Sequence, residues 1–195
     1  MIAQRYEKEF VPRSGIKEYR SLTQVLKKES ARVNGIIQQF LRFARPPKLK
    51  LANVALKQFT EHISTLFSGQ AMARKIEFLA VCKEDLHTHM DYDQMTQAVL
   101  NLLQNALDAT ATGGSISMNI FQREHHIIIE IADNGSGISA SNLTKIFNLY
   151  FSTKDDGSGM GLAITQQIVS QHQGSIHVQS EPLKGSTFSI LLPNN

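Results

Sequence analysis

The sequence predicts an α+β fold in which a two-layer α/β sandwich, a mixed sheet with helices on one face, follows a helical hairpin. Strand-like and helix-like segments are intermixed along most of the chain without the regular βαβ rhythm of a parallel sheet, which favours the α+β class. The first fifty residues instead repeat apolar residues at the spacing of a coiled coil or helical bundle. Pro46 and Pro47 separate the two patterns, because neither residue can continue a helix.

The N-terminal region predicts a long helix that begins near Ile16, after turn-forming residues 12–15, and ends before Pro46. A shorter helical segment precedes the turn, so the region predicts a hairpin. Apolar residues follow alternating steps of four and three, with Glu29 at the one position that breaks the series: Leu22, Leu26, Val33, Ile36, Phe40 and Phe43. Two helices cannot enclose a core alone, so this seam predicts a homodimer, most simply a four-helix bundle.

The segments beyond the prolines predict the elements of the sandwich in order. Residues 55–73 have helical periodicity, and two short strand patterns follow in KIEFLAVC and LHTHMD. The segment YDQMTQAVLNLLQNALDATA predicts an apolar helix that ends before Gly113. Next come a hairpin of SISMNIFQ and HHIIIEIAD around residues 123–125, a helix after a glycine loop, and two closing strands, GSIHVQS and GSTFSILLP.

Composition excludes several classes of protein. The chain has 195 residues with 42% hydrophobic content, and it contains no apolar run long enough to span a bilayer, so it predicts a folded, soluble chain. Residues 1–50 hold 12 Lys and Arg against 4 Asp and Glu, but the basic residues are spread among acidic ones along a helical pattern and are not interleaved with aromatic residues, which argues against nucleic-acid binding. The single cysteine, Cys82, predicts a buried structural thiol in a reducing compartment.

A glycine-rich loop in STKDDGSGMGLAI is the first candidate for ligand binding. Gly157, Gly159 and Gly161 let the backbone approach a ligand closely, and the free N–H groups of a following helix would favour an anion such as phosphate. The loop matches neither the dinucleotide fingerprint, since Leu162 stands where a third glycine is needed, nor the P-loop. Taken alone, it is equally compatible with a surface loop that caps a helix.

Two further groups of polar residues suggest a nucleotide site. Asn101 and Asn105 lie one helical turn apart, and a neutral carboxamide oxygen suits Mg²⁺, although polar surface explains such a pair as well. Asp133 ends an apolar strand just before Gly135 and Gly137, where its carboxylate could accept a hydrogen bond from the amine of a base. Asp-Asn-Gly is also an ordinary turn, so only the combination is informative.

In order and spacing, NLLQNALDA, DNGSGI, IFNLYFSTK, GSGMGLAI and GSTF resemble the N, G1, F, G2 and closing glycine motifs of the ATP-binding domain of sensor histidine kinases. This resemblance covers about residues 50–195, and the segment from Glu29 to Leu56 resembles the second helix of their dimerisation domain with its junction. It implies a partial dimerisation hairpin over residues 1–48, an ATP-binding catalytic domain over residues 49–195, and an ATP lid at about residues 138–160.

The resemblance also implies roles for individual residues. Asp133 would receive the adenine amino group, Asn105 would coordinate Mg²⁺ with Asn101 beside it, and Lys154 would contact phosphate. The remaining ATP-binding positions shape the pocket and the ends of the lid or touch the adenine edge: Gly135, Gly137, Gly157, Gly159, Gly161, Leu162 and Thr187. The chain departs from the family's pattern at Asp108. Many members carry a basic residue at this place, three positions after the metal-binding asparagine.

The implied reaction is transfer of the ATP γ-phosphate to a histidine and relay to the receiver domain of a response regulator. Such an acceptor histidine precedes Glu or Asp, and none of the chain's histidines does: His62, His87, His89, His125, His126, His172 and His177. We therefore expect the acceptor box upstream of Met1 and a chain unable to phosphorylate itself. The expected location is the cytoplasm, and a membrane-anchored full-length protein, at the inner or plasma membrane, stays open.

Two other functions stay open at this point. An ATP-hydrolysing relative of the gyrase type would carry Glu four residues before the metal-binding asparagine, where this chain has Asn101, an amide that cannot act as a base. A nucleotide-binding or dimerising module without transferase activity is the second alternative. His87 and His89 share one strand face, but without a third ligand nearby we expect them to face solvent.

Overall fold

The computed structural model describes residues 16–45, 47–154 and 158–194. The chain divides into two compact units, Met1–Pro47 and Lys48–Asn195. The predicted turn at residues 12–15 and the short helix before it lie outside the described residues.

In the first unit, helix α1 (Ile16–Ala44) matches the predicted long helix and ends just before the prolines. Much of its apolar surface is exposed to solvent: Leu22, Val25, Leu26, Val33, Ile37, Phe40 and Leu41. Exposed side chains of this size on one helix are typical of a surface that another helix covers. Among the described helices, none is both long enough and apolar enough to cross a membrane.

The second unit is the predicted α+β sandwich, which is confirmed. Its elements in chain order are β1 (Ala52–Ala55), α2 (Leu56–Ala73), β2 (Glu77–Cys82), β3 (His87–Met90), α3 (Tyr92–Ala109), β4 (Ser115–Arg123), β5 (His126–Asp133), α4 (Ala140–Leu143), α5 (Gly161–Gln171), β6 (Ser175–Glu181) and β7 (Gly185–Pro193).

A five-stranded mixed sheet with the order β2-β4-β5-β7-β6 forms one layer. Strands β2 and β4 are parallel, whereas every other neighbouring pair in this sheet is antiparallel. The central strand β5 has a run of three isoleucines because it is buried on both faces: Ile127 and Ile129 are inaccessible on one face, and Ile128 is only 7% exposed on the other. This strand ends at Asp133, so the sheet itself fixes the position of that carboxylate.

Two short elements were not predicted. Strand β1 pairs with β3 in a separate two-stranded antiparallel sheet, and helix α4 lies within the predicted ATP lid. Each is four residues long and, unlike the equally short β3 with its alternating histidines, has no periodic pattern that identifies it. Cys82 is also less enclosed than predicted: it ends β2, is only partly buried, and its Sγ lies 3.4 Å from the carbonyl oxygen of Glu84.

The N-terminus of α3 is held by buried Asp91. Its Oδ1 accepts a hydrogen bond from the N–H of Gln94 at 3.0 Å, and its Oδ2 accepts one from the N–H of Lys50 at 2.8 Å. The Asp91 N–H donates to Nε2 of buried His172 at 2.9 Å. Burial raises the pKa of Asp91, but the N–H groups of Gln94 and Lys50, together with His172, outweigh it and hold the pKa below its ordinary value.

We expect Asp91→Ala to lower the free energy of unfolding by about 2 kcal/mol at neutral pH, because it leaves two backbone donors without their acceptor. Since the folded-state pKa lies below the unfolded one, this stabilisation is present above the unfolded pKa and is lost as the pH falls through the folded value. Urea titrations at neutral pH and at about pH 3 measure both effects. Exposed Asp85→Ala is the control, and equal losses in the two variants would contradict the prediction.

Candidate functional site

Helix α3 positions the two asparagines. Asn101 and Asn105 are half-buried on the same side of the helix, while the neighbouring Leu102, Leu103 and Ala106 are buried in the core. The side-chain amide of Asn101 donates to the carbonyl oxygen of Gly161 at 3.3 Å, which joins α3 to the first residue of α5. Asn105, one turn further along, leaves its carboxamide oxygen close to the predicted lid, 3.5 Å from Nζ of Lys154.

Asp133 is the last residue of β5, where it pairs with Ile116 of β4 and Ser186 of β7. Its Oδ1 accepts a hydrogen bond from the N–H of Gly135 at 2.9 Å. Burial raises the pKa of the Asp133 carboxyl, and the N–H groups of Gly135 and Ser186 offset this effect only in part. A partly buried carboxylate with a raised pKa at the end of a strand is typical of a ligand-binding position.

The loop after Asp133 packs against the C-terminus of α3. The N–H of Ser136 donates to the carbonyl oxygen of Ala109 at 3.0 Å, one turn beyond Asn105. A Cβ on Gly135 would lie 2.5 Å from that same oxygen, so only glycine fits here. Gly137 has a φ of +67°, and its Cβ would overlap the backbone of Glu181. The predicted asparagine and aspartate motifs are therefore adjacent in space.

The N-terminus of α5 faces the same region. Gly159 has a φ of +66°, and a Cβ there would lie 2.4 Å from the backbone of Tyr150. A Cβ on Gly161, in contrast, would meet only Cγ of Asn101, at 3.9 Å, so the fold leaves open space at the first turn of this helix. Its N-cap, Met160, makes no side-chain hydrogen bond to the helix, which leaves the first-turn N–H groups without a side-chain cap.

Two further predicted site residues, Leu162 and Thr187, lie in the same part of the domain. Leu162 follows Gly161 in α5 and is half-buried. Thr187 lies on β7 opposite Ala132, one position from the Asp133 pair. Gly157 lies outside the described residues.

Lys154 is bound to a group that sequence reasoning did not connect with it. Its Nζ lies 2.8 Å from Oδ2 of Asp108, and Nη1 of Arg74 lies 3.2 Å from Oδ1 of the same carboxylate. Burial raises the pKa of Asp108, but the hydrogen bond and charge of Lys154, with smaller effects of Gln104 and Arg74, hold it below its ordinary value. Asp108 is therefore ionised at neutral pH and forms ion pairs with both Lys154 and Arg74.

The sequence contained only part of the information about this cluster. The spacing of four residues between Gln104 and Asp108 indicates a contact on one helix face, and their side chains are 2.9 Å apart. Arg74 lies 34 residues before Asp108 at the C-terminus of α2. No local pattern could have paired these two residues.

The residues present fit a nucleotide with Mg²⁺. Asn105 offers a neutral oxygen that already lies near an ammonium group, and such hard oxygen ligands suit Mg²⁺. The uncapped N-terminus of α5, with room beside Gly161, suits phosphate oxygens. Asp133 supplies an acceptor for an exocyclic amine.

The histidines form no competing metal site. His87 and His89 are exposed on one face of β3, as predicted, while Thr88 and Met90 between and after them are buried. Within the described ranges, no cluster of three or more His, Cys, Asp or Glu residues could hold a metal ion.

A mixed α+β sandwich with this constellation at the end of its central strand defines a nucleotide-binding domain of the ATPase and kinase class. The chain belongs to the histidine kinase-, DNA gyrase B- and HSP90-like ATPase family, whose model matches residues 90–195.

The relatives confirm the predicted resemblance to sensor histidine kinases. Sensor histidine kinase ZraS of Escherichia coli K12 is 38% identical over 192 residues, which is 98% of this chain and 41% of ZraS. The catalytic domain of histidine kinase ThkA has a TM-score of 0.68 at 26% identity, covering 74% of this chain and 96% of that domain. Full-length ShkA in complex with AMPPNP has a TM-score of 0.83 at 24% identity, covering 98% of this chain and 41% of ShkA. The chain thus spans about two fifths of the length of ZraS.

Proposed function

We propose that this chain is the catalytic part of a sensor histidine kinase, which binds Mg-ATP and transfers the γ-phosphate to a histidine of the dimerisation domain. The observation that carries the proposal is Asp133: a partly buried carboxylate at the end of the central strand, beside a loop that must contain glycine and that packs on the helix of Asn105. The relatives named as sensor histidine kinases support the same function.

Each site residue has a proposed task. Asp133 accepts a hydrogen bond from the adenine amino group, with Thr187 beside it on the next strand. Asn105 holds Mg²⁺, and the bound ion would neutralise phosphate charge and orient the γ-phosphate. The first turn of α5 and Lys154 face the phosphates, and the glycines together with Leu162 shape the walls of the site.

Asn101 is placed for positioning rather than for base catalysis. Its amide group is engaged with the carbonyl oxygen of Gly161, and a carboxamide cannot take a proton from water at neutral pH. Asn101 therefore fixes the start of α5 relative to Asn105. This arrangement favours transfer to a protein side chain over the hydrolysis that gyrase-type relatives carry out.

We expect the present chain, incubated alone with radiolabelled Mg-ATP, to acquire no acid-labile phosphate. A nucleophilic imidazole needs a neighbouring carboxylate to accept or orient its other proton, and no histidine of this sequence is followed by one. A chain extended at its N-terminus by a helix with a phosphoacceptor box should become labelled. The same extended chain carrying Asp133→Asn is the control. Phosphohistidine on the present chain would show that the acceptor is misassigned, and no label on the extended chain would contradict the proposed kinase function.

We further propose that the N-terminal region, residues 1–48, forms a homodimer through the exposed seam of α1. A parallel two-fold bundle would cover exposed Leu22, Leu26, Val33 and Phe40. Light scattering of the intact chain should give twice the monomer mass, whereas a chain that begins at Lys48 should be monomeric. Equal monomer masses at high micromolar concentration would contradict this dimer.

The partner that receives the phosphate is proposed to be the receiver domain of a response regulator. The proposed location of this part of the protein is the cytoplasm, where ATP and such a partner are available.

A further inference from the structure

The carboxylate of Asp108 lies next to the proposed metal ligand. Nζ of Lys154 lies between them, 2.8 Å from Oδ2 of Asp108 and 3.5 Å from Oδ1 of Asn105. On the other side of the carboxylate, Nη1 of Arg74 contacts Oδ1 of Asp108 and the carbonyl oxygen of Leu107, both at 3.2 Å. Asp108 thus places a negative charge one helical turn from the oxygen that would hold Mg²⁺.

This geometry affects two forms of the nucleotide differently. Metal-free ATP would bring its full phosphate charge toward the Asp108 carboxylate, which is already paired with Lys154 and Arg74. The carboxylate repels the phosphates and also competes with them for these two cations, and both effects oppose binding. With Mg²⁺ at Asn105, the ion cancels part of the phosphate charge and is itself attracted by Asp108. The carboxylate of Asp108 therefore weakens the binding of metal-free ATP and leaves the binding of Mg-ATP nearly unaffected.

We infer that Asp108 is a specificity-determining residue of the nucleotide site, which selects ATP carrying its metal ion over metal-free ATP. This inference rests on the proposed function, because it requires that Asn105 holds the ion and that the phosphates lie beside Lys154. Asp108 needs no contact with the nucleotide for this role. Its charge and its hold on the two cations are sufficient.

The test compares the dissociation constants for ATP, measured by calorimetry, in excess Mg²⁺ and in excess EDTA. In Asp108→Asn, binding of metal-free ATP should strengthen by about tenfold, the effect of one charge close to the phosphates, while binding of Mg-ATP should change by less than about twofold. Asp108 is an exposed residue of α3 with a partly exposed side chain, so the variant should fold, and circular dichroism checks this.

Asp93→Asn is the matched control. Asp93 is an exposed acidic residue in the first turn of the same helix, about 22 Å from Asp108 along the helix axis. This variant removes the same charge from the same helix, so it separates a local effect at the phosphates from a change in net charge. Its dissociation constants should equal those of the wild type under both conditions.

The possible results separate the inference from the proposed function. If the wild type binds no ATP even with Mg²⁺, the proposed function is wrong and the inference fails with it. If the wild type binds Mg-ATP but Asp108→Asn has the same affinity for metal-free ATP as the wild type, only the inference is wrong. An equal strengthening in Asp93→Asn would also overturn it.

Discussion

Asp133→Asn is expected to weaken ATP binding by about ten- to a hundredfold and to leave the nucleotide-free chain at least as stable as the wild type. The single carboxamide oxygen of the variant would stay with the N–H of Gly135, as Oδ1 does in the wild type, so that an NH₂ donor faces the adenine amino group. The amino group then has no acceptor at a partly buried position, which costs on the order of 1 to 3 kcal/mol. The stability argument runs in the opposite direction. Burial raises the folded-state pKa of Asp133, so the folded chain holds this proton more tightly than the unfolded chain does. The free energy of unfolding therefore falls as the pH rises from the unfolded pKa of this carboxyl through its folded pKa.

Calorimetric titration with Mg-ATP and thermal unfolding without nucleotide measure the two effects on the same samples. Asp85→Asn, on the exposed surface, should leave both unchanged. GTP is a second control for the wild type, since guanine presents a carbonyl oxygen where adenine presents its amino group. A variant that binds ATP as tightly as the wild type would contradict the assignment of Asp133, and a marked loss of nucleotide-free stability would contradict the pKa argument.

Gly185→Ala is expected to lower the free energy of unfolding by about 3 kcal/mol or more, a large fraction of the stability of a domain of this size. Gly185 opens β7 with a φ of +93°, and a Cβ there would lie 1.9 Å from the carbonyl oxygen of Asp133. The same Cβ would lie only 2.8 Å from Cα of Asn134. Since both of these atoms belong to the backbone, no side chain can rotate to make room. The same substitution should displace Asp133 and weaken ATP binding.

Gly69→Ala provides the matched comparison. Gly69 lies within α2, is exposed, and has no heavy atom within 4 Å of an added Cβ. Alanine should stabilise this helix by about 0.5 to 1 kcal/mol, because glycine loses more backbone freedom on folding. Urea titration of the two variants should therefore give changes of opposite sign. A neutral Gly185→Ala would show that the start of β7 can relax.

The fold was predictable where a periodic pattern was long. The apolar series of α1, the heavily apolar α3 and the isoleucine-rich β5 each cover eight or more residues, and each appears where the sequence placed it. Strand β1 was missed because its four residues gain their order from pairing with β3, which lies more than thirty residues away in the chain. Short elements of this kind are defined by their tertiary partners and not by their own sequence.

The candidate site shows the same division. The residue types and spacing of Asn101, Asn105 and Asp133 could be recognised along the chain, because each belongs to a local motif. The contact of Asp108 with Arg74, and that of Asp91 with His172, join residues from distant segments. Their partners follow from the packing of α2, α3 and α5, and no spacing in the sequence encodes them.

The pairing of β5 with β7 has a consequence for how the chain folds. The hairpins β4–β5 and β6–β7 are local, whereas Asp133 pairs with Ser186 only after the whole intervening segment has been closed into a loop. Closing a loop of about 50 residues costs roughly 3.5 kcal/mol of chain entropy, so we expect this ladder to form late. Asp133 and Thr187 come together across that ladder. The adenine end of the proposed site would then be complete only in the finished fold, and partly folded chains would have no affinity for the nucleotide.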